Sequence, residues 1–134
     1  MITVKSVQTA VRWVDSPPTG IAQGRFSAGD ILIVHDRLIN LTPQLGRPKG
    51  AVVGTDEGTF TFTSSTRSNF VGSANFPGGS VRVHGRIATN ATGTVNMTVI
   101  GGTGAYAHAR GTVSEPANDS KPANARNTYR LLLP

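Results

Sequence analysis

"VIGGTGAYAHARG", residues 99–111, sets four glycines (Gly101, Gly102, Gly104 and Gly111) around Tyr106 and Arg110. A phosphate-cradling loop here would make the chain a nucleotide enzyme. A reversal between two strands would make it a β protein. A Walker-type loop needs Gly-x-x-x-x-Gly-Lys-Ser/Thr, and a dinucleotide loop needs Gly-x-Gly-x-x-Gly opening a helix. No lysine follows these glycines, and "GAYAHARGTV", with Gly near both ends and a Thr-Val close, makes a poor helix. The strand reversal is the better reading. Gly101, Gly102 and Gly104 supply the positive φ that a sharp turn requires. Residues 105–115 are then expected to form the next strand, with Tyr106, His108 and Arg110 on one face and Ala105, Ala107 and Ala109 on the other.

The remainder of the chain agrees with that choice. "ITVKSVQTAVRWV" (2–14) and "DILIVHDRLIN" (30–40) are dense in β-branched residues and are expected as strands, with "DSPPTG" breaking the first. "TPQLGRPKG" reads as a loop. "AVVGTDEGTFTFTSS" holds two strands, or one strand bent near Asp56 to Gly58. Within it Phe60 and Phe62 alternate strictly with Thr59, Thr61 and Thr63. "NFVGSANF" and "SVRVHGRIA" flank "PGG", a hairpin turn. "GTVNMTVIG" (93–101) and "RNTYRLLL" (126–133) complete the set, with the polar loop "EPANDSKPANA" before the last strand. Eight or nine strands spaced near ten residues apart point to a sandwich or an up-and-down barrel.

The 134 residues suit one domain, 1–134, able to bury a core without staples. There are no cysteines, so neither disulfides nor thiolate metal sites hold it together. The N-terminus alternates polar and apolar residues, lacks the apolar run of a signal peptide, and no stretch is long enough to span a membrane. A cytoplasmic protein without membrane contact is expected. The sequons beginning at Asn40, Asn90, Asn96 and Asn118 are accordingly read as chance. The net charge of +6 raises the prior for nucleic acid. The charges are scattered, however, and aromatics are only 6% of residues, too few for base stacking, so no nucleic-acid partner is expected. The charge fits a solvated basic surface or an acidic small-molecule ligand better.

At "GGTGAYAHARG" (101–111), lying after a strand and before a final hairpin, the chain resembles the allene oxide cyclase-like and dirigent-like barrel superfamily. "HD" in "LIVHDRL" resembles a dirigent strand motif, "VVGTDEGTFTF" resembles the Val-Gly-x-x-x-Gly segment of both groups, and "FPGGSVRVHG" resembles the hairpin preceding their GGTG. The order is right from about Asp30 to the C-terminus. The resemblance implies an all-β, eight-stranded antiparallel up-and-down barrel with a small-molecule cavity. It also implies a homo-oligomer, dimer or trimer, and ring closure without a metal or nucleotide cofactor. One departure is Ala105, where dirigent proteins often carry an acidic residue directly after GGTG. That, with the missing leader, favours a bacterial-type cyclase or binder over radical coupling. No catalytic residue of the plant cyclases is carried over.

Asp36 is the most interesting carboxylate, because its strand face also carries Leu32, Val34 and Leu38. A carboxyl group in an apolar row loses hydration, which favours its protonated form and lets it serve as an acid near neutrality. By the resemblance it also matches a position lining the dirigent cavity; the bland alternative is a rim aspartate paired with an arginine. Arg110 would stabilise charge developing on a substrate oxygen, or else tie backbone carbonyls across strands. Arg82, His84 and Arg86 alternate with Val81, Val83 and Ile87. Either face could point inward, the Val/Ile face being the ordinary choice. His35 and His108 have no metal-ligand spacing, and no metal is expected. Trp13, Phe60, Phe62, Met97 and Tyr129 are expected as core or cavity wall, and His84 and Tyr106 are candidate substrate contacts beside them. No Ser–His–Asp order and no paired-carboxylate motif stands out.

These readings converge on a cofactor-free cyclase that folds a flexible, largely apolar polyketide-, terpenoid- or fatty-acid-like intermediate, with Asp36 and Arg110 as catalytic candidates. The alternative is a non-catalytic small-molecule-binding or dirigent-like barrel that guides a reactive intermediate. A further rival is a structural protein whose interior is packed solid.

Overall fold

A computed structural model of the chain describes residues 1–15, 27–88, 93–116 and 124–134, with the side chains of 124 and 125 outside that description. Eight strands run in chain order: β1 (Ile2–Val14), β2 (Ile31–Asn40), β3 (Val52–Phe62), β4 (Arg67–Phe76), β5 (Gly79–Ala88), β6 (Thr94–Gly102), β7 (Arg110–Pro116) and β8 (Asn124–Leu132). Each pairs antiparallel with the next, and β1 pairs with β8, closing the barrel. Closure gives each of the eight strands a partner on both sides. The up-and-down barrel expected from the sequence is the fold found. Among the described residues no helix is long and apolar enough to cross a membrane.

Direct antiparallel partners share a face, so the register sorts the side chains into an inner and an outer set. Val4 opposes Asn40 and Asn127, Ser6 opposes Leu38, and Gln8 opposes Asp36. A bulge between Gln8 and Ala10 then resets β1, so that Val11 faces Val34 and Trp13 faces Leu32 on the same inner side. The next strands continue the rows: Leu32, Phe60 and Phe70 form one, and Asp36, Asp56, Ala74 and Val81 another.

The two ends of the barrel differ. At one, Ile2, Val4, Leu38, Val53, Phe76, Val81, Val99, Tyr106, Val113 and Tyr129 pack into a buried plug. Phe76 sits at its centre, with Tyr129 edge-on at 5.2 Å and Tyr106 tilted at 6.0 Å. At the other end the inner rows carry Trp13, 43% exposed, and the half-buried Leu32, Val34, Phe60 and Phe70. Phe60 and Phe70 lie 4.8 Å apart. The Phe70 ring fits only because Gly58 and Gly72 sit beneath it; a Cβ at either would lie 2.2 Å or 2.6 Å from ring carbons. The loop before β3 is fixed by Asn40, whose amide donates to the carbonyls of Gln44, Arg47 and Pro48 at 3.0–3.3 Å. Asn40 is buried, so the first sequon has no amide open to solvent.

The opening stretch is where the structure departs most from the sequence reading. Residues 105–115 are not one strand. Gly104–Tyr106 forms a single 3-10 turn, and β7 begins only at Arg110. Of the three glycines expected to take positive φ, Gly104 alone does, at 58°. Gly102 is needed for close approach instead: a Cβ there would stand 2.4 Å from the carbonyl oxygens of Ser80 and Tyr106. The turn packs Tyr106 into the plug, with its hydroxyl donating to the Pro77 carbonyl at 3.4 Å. Tyr106, His108 and Arg110 therefore share no strand face.

Candidate functional site

Inner-row alternation brings acids together midway between the plug and the open end. Asp36 on β2 stands directly opposite Asp56 on β3. Their neighbours on the same rows are apolar or small: Val34 and Leu38 beside Asp36, Gly58 and Gly54 beside Asp56. The two side chains are hydrogen-bonded to each other. Two ionised carboxylates have only acceptors, so this bond requires a shared proton. Burial first, then the hydrogen bond and charge of Asp36, and lastly the charge of Glu115, push the pKa of Asp56 up to about 9.

Glu115 joins from β7. Val95 opposes Glu115, and Val113 opposes both Met97 and Tyr129, which places Glu115 on the inner side. Burial and the charge of Asp36 raise it to about 7. Tyr129, buried on β8, is held well above the ordinary tyrosine range, by burial first and then by Asp56, Glu115 and Asp36. It stays a neutral donor at the floor of the site. One register step beyond the Ser114–Thr128 pair, Asn127 stands beside Glu115. It is 4% exposed, and its Oδ1 is buried with no hydrogen-bond partner among the described residues. The arrangement is a set of acids, two of them with raised pKa, floored by a phenol and followed along the inner rows by aromatic rings. It can give and take protons in surroundings of low polarity.

The sequence-predicted residues divide into two groups. Asp36, Phe60, Phe62, Met97, Trp13 and Tyr129 all lie on inner rows. Of these only Asp36 and Tyr129 belong to the acid set. Met97 packs against Gly85, and Phe62 is buried opposite Ser68. Tyr106 is part of the plug. His84 and Arg110 are corrections. Val81 and Val83 are buried, so the alternating row of Arg82, His84 and Arg86 faces outward. Arg110 is exposed on the outer wall, where Nη1 donates to the carbonyls of Ile100 at 3.0 Å and Ala109 at 2.8 Å. It ties backbone, as its bland reading had it, and reaches no acid of the lumen.

Asp56 and Glu115 went unread in the sequence, although a signal was present. Running the Phe62–Phe60 alternation backward lands on Gly58 and then Asp56, and running Val113 forward lands on Glu115. What no alternation supplies is the register that sets Asp56 against Asp36. The absence of a paired-carboxylate motif was an absence along the chain, and the pair is made across strands.

The same architecture occurs elsewhere. Pyocyanin demethylase superposes with a TM-score of 0.73 at 21% identity, covering 98% of both chains. A pterocarpan synthase dirigent protein gives 0.70 at 19% identity, covering 97% of this chain and 90% of that one. A nonspecific heme-binding cyclase that catalyses a cycloaddition during neoabyssomicin biosynthesis gives 0.66 at 15% identity, covering 97% of this chain and 60% of that one. At these identities the likeness is one of fold. No curated protein sequence matches. The family model described as "Dirigent-like protein" matches residues 1–132, nearly the whole chain, and with the closed barrel and its acid-lined interior on view, the chain belongs to the dirigent-like family.

Proposed function

We propose that this protein is a cofactor-free cyclase that uses the Asp36–Asp56 pair as its acid. The observation that carries the proposal is that pair, hydrogen-bonded inside an apolar barrel whose open end is lined by aromatic rings. The barrel wall would hold a flexible, largely apolar guest in one folded conformer. Ordering the reacting ends in this way can supply up to ~7–11 kcal/mol in ideal cases. Asp56 would donate its proton to a carbonyl, epoxide or leaving-group oxygen as positive charge develops on the adjoining carbon. Asp36, paired with it, would stabilise that charge, and Glu115, raised to about 7, would remove a proton at the far end of the guest. The proton count then balances across an isomerisation. Fold neighbours that include a cyclase and a pterocarpan synthase support the reading.

The test is a panel of linear precursors that close without a cofactor: 2′-hydroxychalcone, an epoxy-alkene and a triene–dienophile ester. Rate and enantiomeric excess are compared with buffer alone. The expected result is acceleration and an excess of one enantiomer with at least one precursor, reduced about 10²–10⁴-fold by Asp56→Asn. Precursors that bind but close at the buffer rate to racemic product would leave a binding barrel and remove the cyclase.

A further inference from the structure

The chain's charge is divided between inside and outside. Every lysine and arginine among the described residues is exposed. Arg37, Arg82, Arg86, Arg126 and Arg130 alternate with inward residues on the outer wall. Inside, Asp36, Asp56 and Glu115 are three of the chain's seven acids, and no described cation joins them. A net charge of +6 therefore suggests an acidic ligand, while the lumen presents the opposite sign.

A second observation is independent of the acids. The Asn127 amide oxygen is buried, lies on the inner side beside Glu115, and receives no hydrogen bond among the described residues. A buried acceptor left unpaired costs about 1–3 kcal/mol, so such an atom marks a place where a donor is awaited. The rings of Phe60 and Phe70, on one inner row at the open end, add apolar aromatic surface.

We propose that the lumen is built for a guest carrying a nitrogen cation with N–H donors, a protonated amine, iminium or amidinium on an apolar body. The carboxylates balance its charge, the Asn127 oxygen takes one of its hydrogens, and the aromatic rings cover its apolar part. An anionic guest meets like charge there and leaves the amide oxygen unpaired. The inference rests on the lumen being the site, as the proposed function does, but not on any reaction following.

The experiment is calorimetric titration of the intact protein with three probes sharing one ring system: 2-naphthylmethylammonium, 2-naphthylmethanol and 2-naphthoate. At neutral pH and moderate salt the ammonium should bind at least about tenfold tighter than the carboxylate, with the alcohol between them. Glu115→Gln, which keeps the shape of the side chain, should shrink that preference to roughly threefold or less. Asn127→Leu should lower affinity for the ammonium and the alcohol alike; should it fail to fold, Glu115→Gln carries the test alone. Naphthoate binding as tightly as the ammonium overturns the proposal. So does a preference that survives Glu115→Gln, or an ammonium that does not bind. If the ammonium is preferred while no precursor cyclises, the cyclase reading falls and this one stands. If cyclisation proceeds best with anionic precursors, this one falls alone.

Discussion

Asp56 carries the strongest consequence at the scale of single residues. Its pKa and that of Glu115 are raised to about 9 and about 7, from ordinary values of 3.8 and 4.5. Between those limits the folded chain holds protons that the unfolded chain has released. Stability from these groups is therefore full below the ordinary values. It is lost as pH rises, first through about 7 and then through about 9. The thermal midpoint should fall by several degrees between about pH 5 and about pH 9, each kcal/mol being worth roughly 3–6 °C in a chain of this size. Asp56→Asn should flatten the upper part of that fall. Melting curves across the pH range check both, and a midpoint that rises toward alkaline pH would contradict the assignment. Asp36 was legible from its strand alone, because Leu32, Val34 and Leu38 mark its row as inward. Its partner was not, since pairing across strands depends on register, which a bulge such as the one between Leu38 and Ile39 can shift.

At the scale of elements, β-branched content and hairpin turns located the strands well. The predicted span 2–14 is β1, and "PGG" does turn β4 into β5. Between Val52 and Phe62 the sequence left one strand or two open, and β3 is one. The failure came after GGTG. Alternating Ala residues look like a strand face, yet Tyr106 gains more by entering the plug beside Phe76, and a 3-10 turn delivers it there. With β7 starting at Arg110, Gly111 takes the inner position opposite Val99, and Arg110 is turned outward. Arg110→Ala should therefore leave probe affinity and any cyclisation rate within about twofold of the unaltered protein. It should cost on the order of 1 kcal/mol in stability through its lost bonds to Ile100 and Ala109. Urea unfolding and the naphthyl titration measure the two sides, and a tenfold loss of affinity would return Arg110 to the site.

At the scale of the whole molecule, the barrel separates two tasks. One end is a plug of aliphatic and aromatic side chains that closes the cylinder and stabilises it. The other leaves inner-row aromatics half exposed above the acids. Placing carboxyl groups between them opposes stability, because the same interior space filled with hydrocarbon would be favourable. Such a cost is expected where chemistry needs it. Composition pointed to the barrel but not to where the charge sits, since a total charge says nothing about its distribution between wall and lumen. The account as a whole depends on a carboxyl proton retained inside the barrel. Infrared difference spectroscopy at about pH 8, between the values for Glu115 and Asp56, reads it directly. The unaltered protein should show the carbonyl stretch of a protonated carboxyl group that disappears in Asp56→Asn; a spectrum containing only ionised carboxylates, or a band that persists in that variant, would contradict the account.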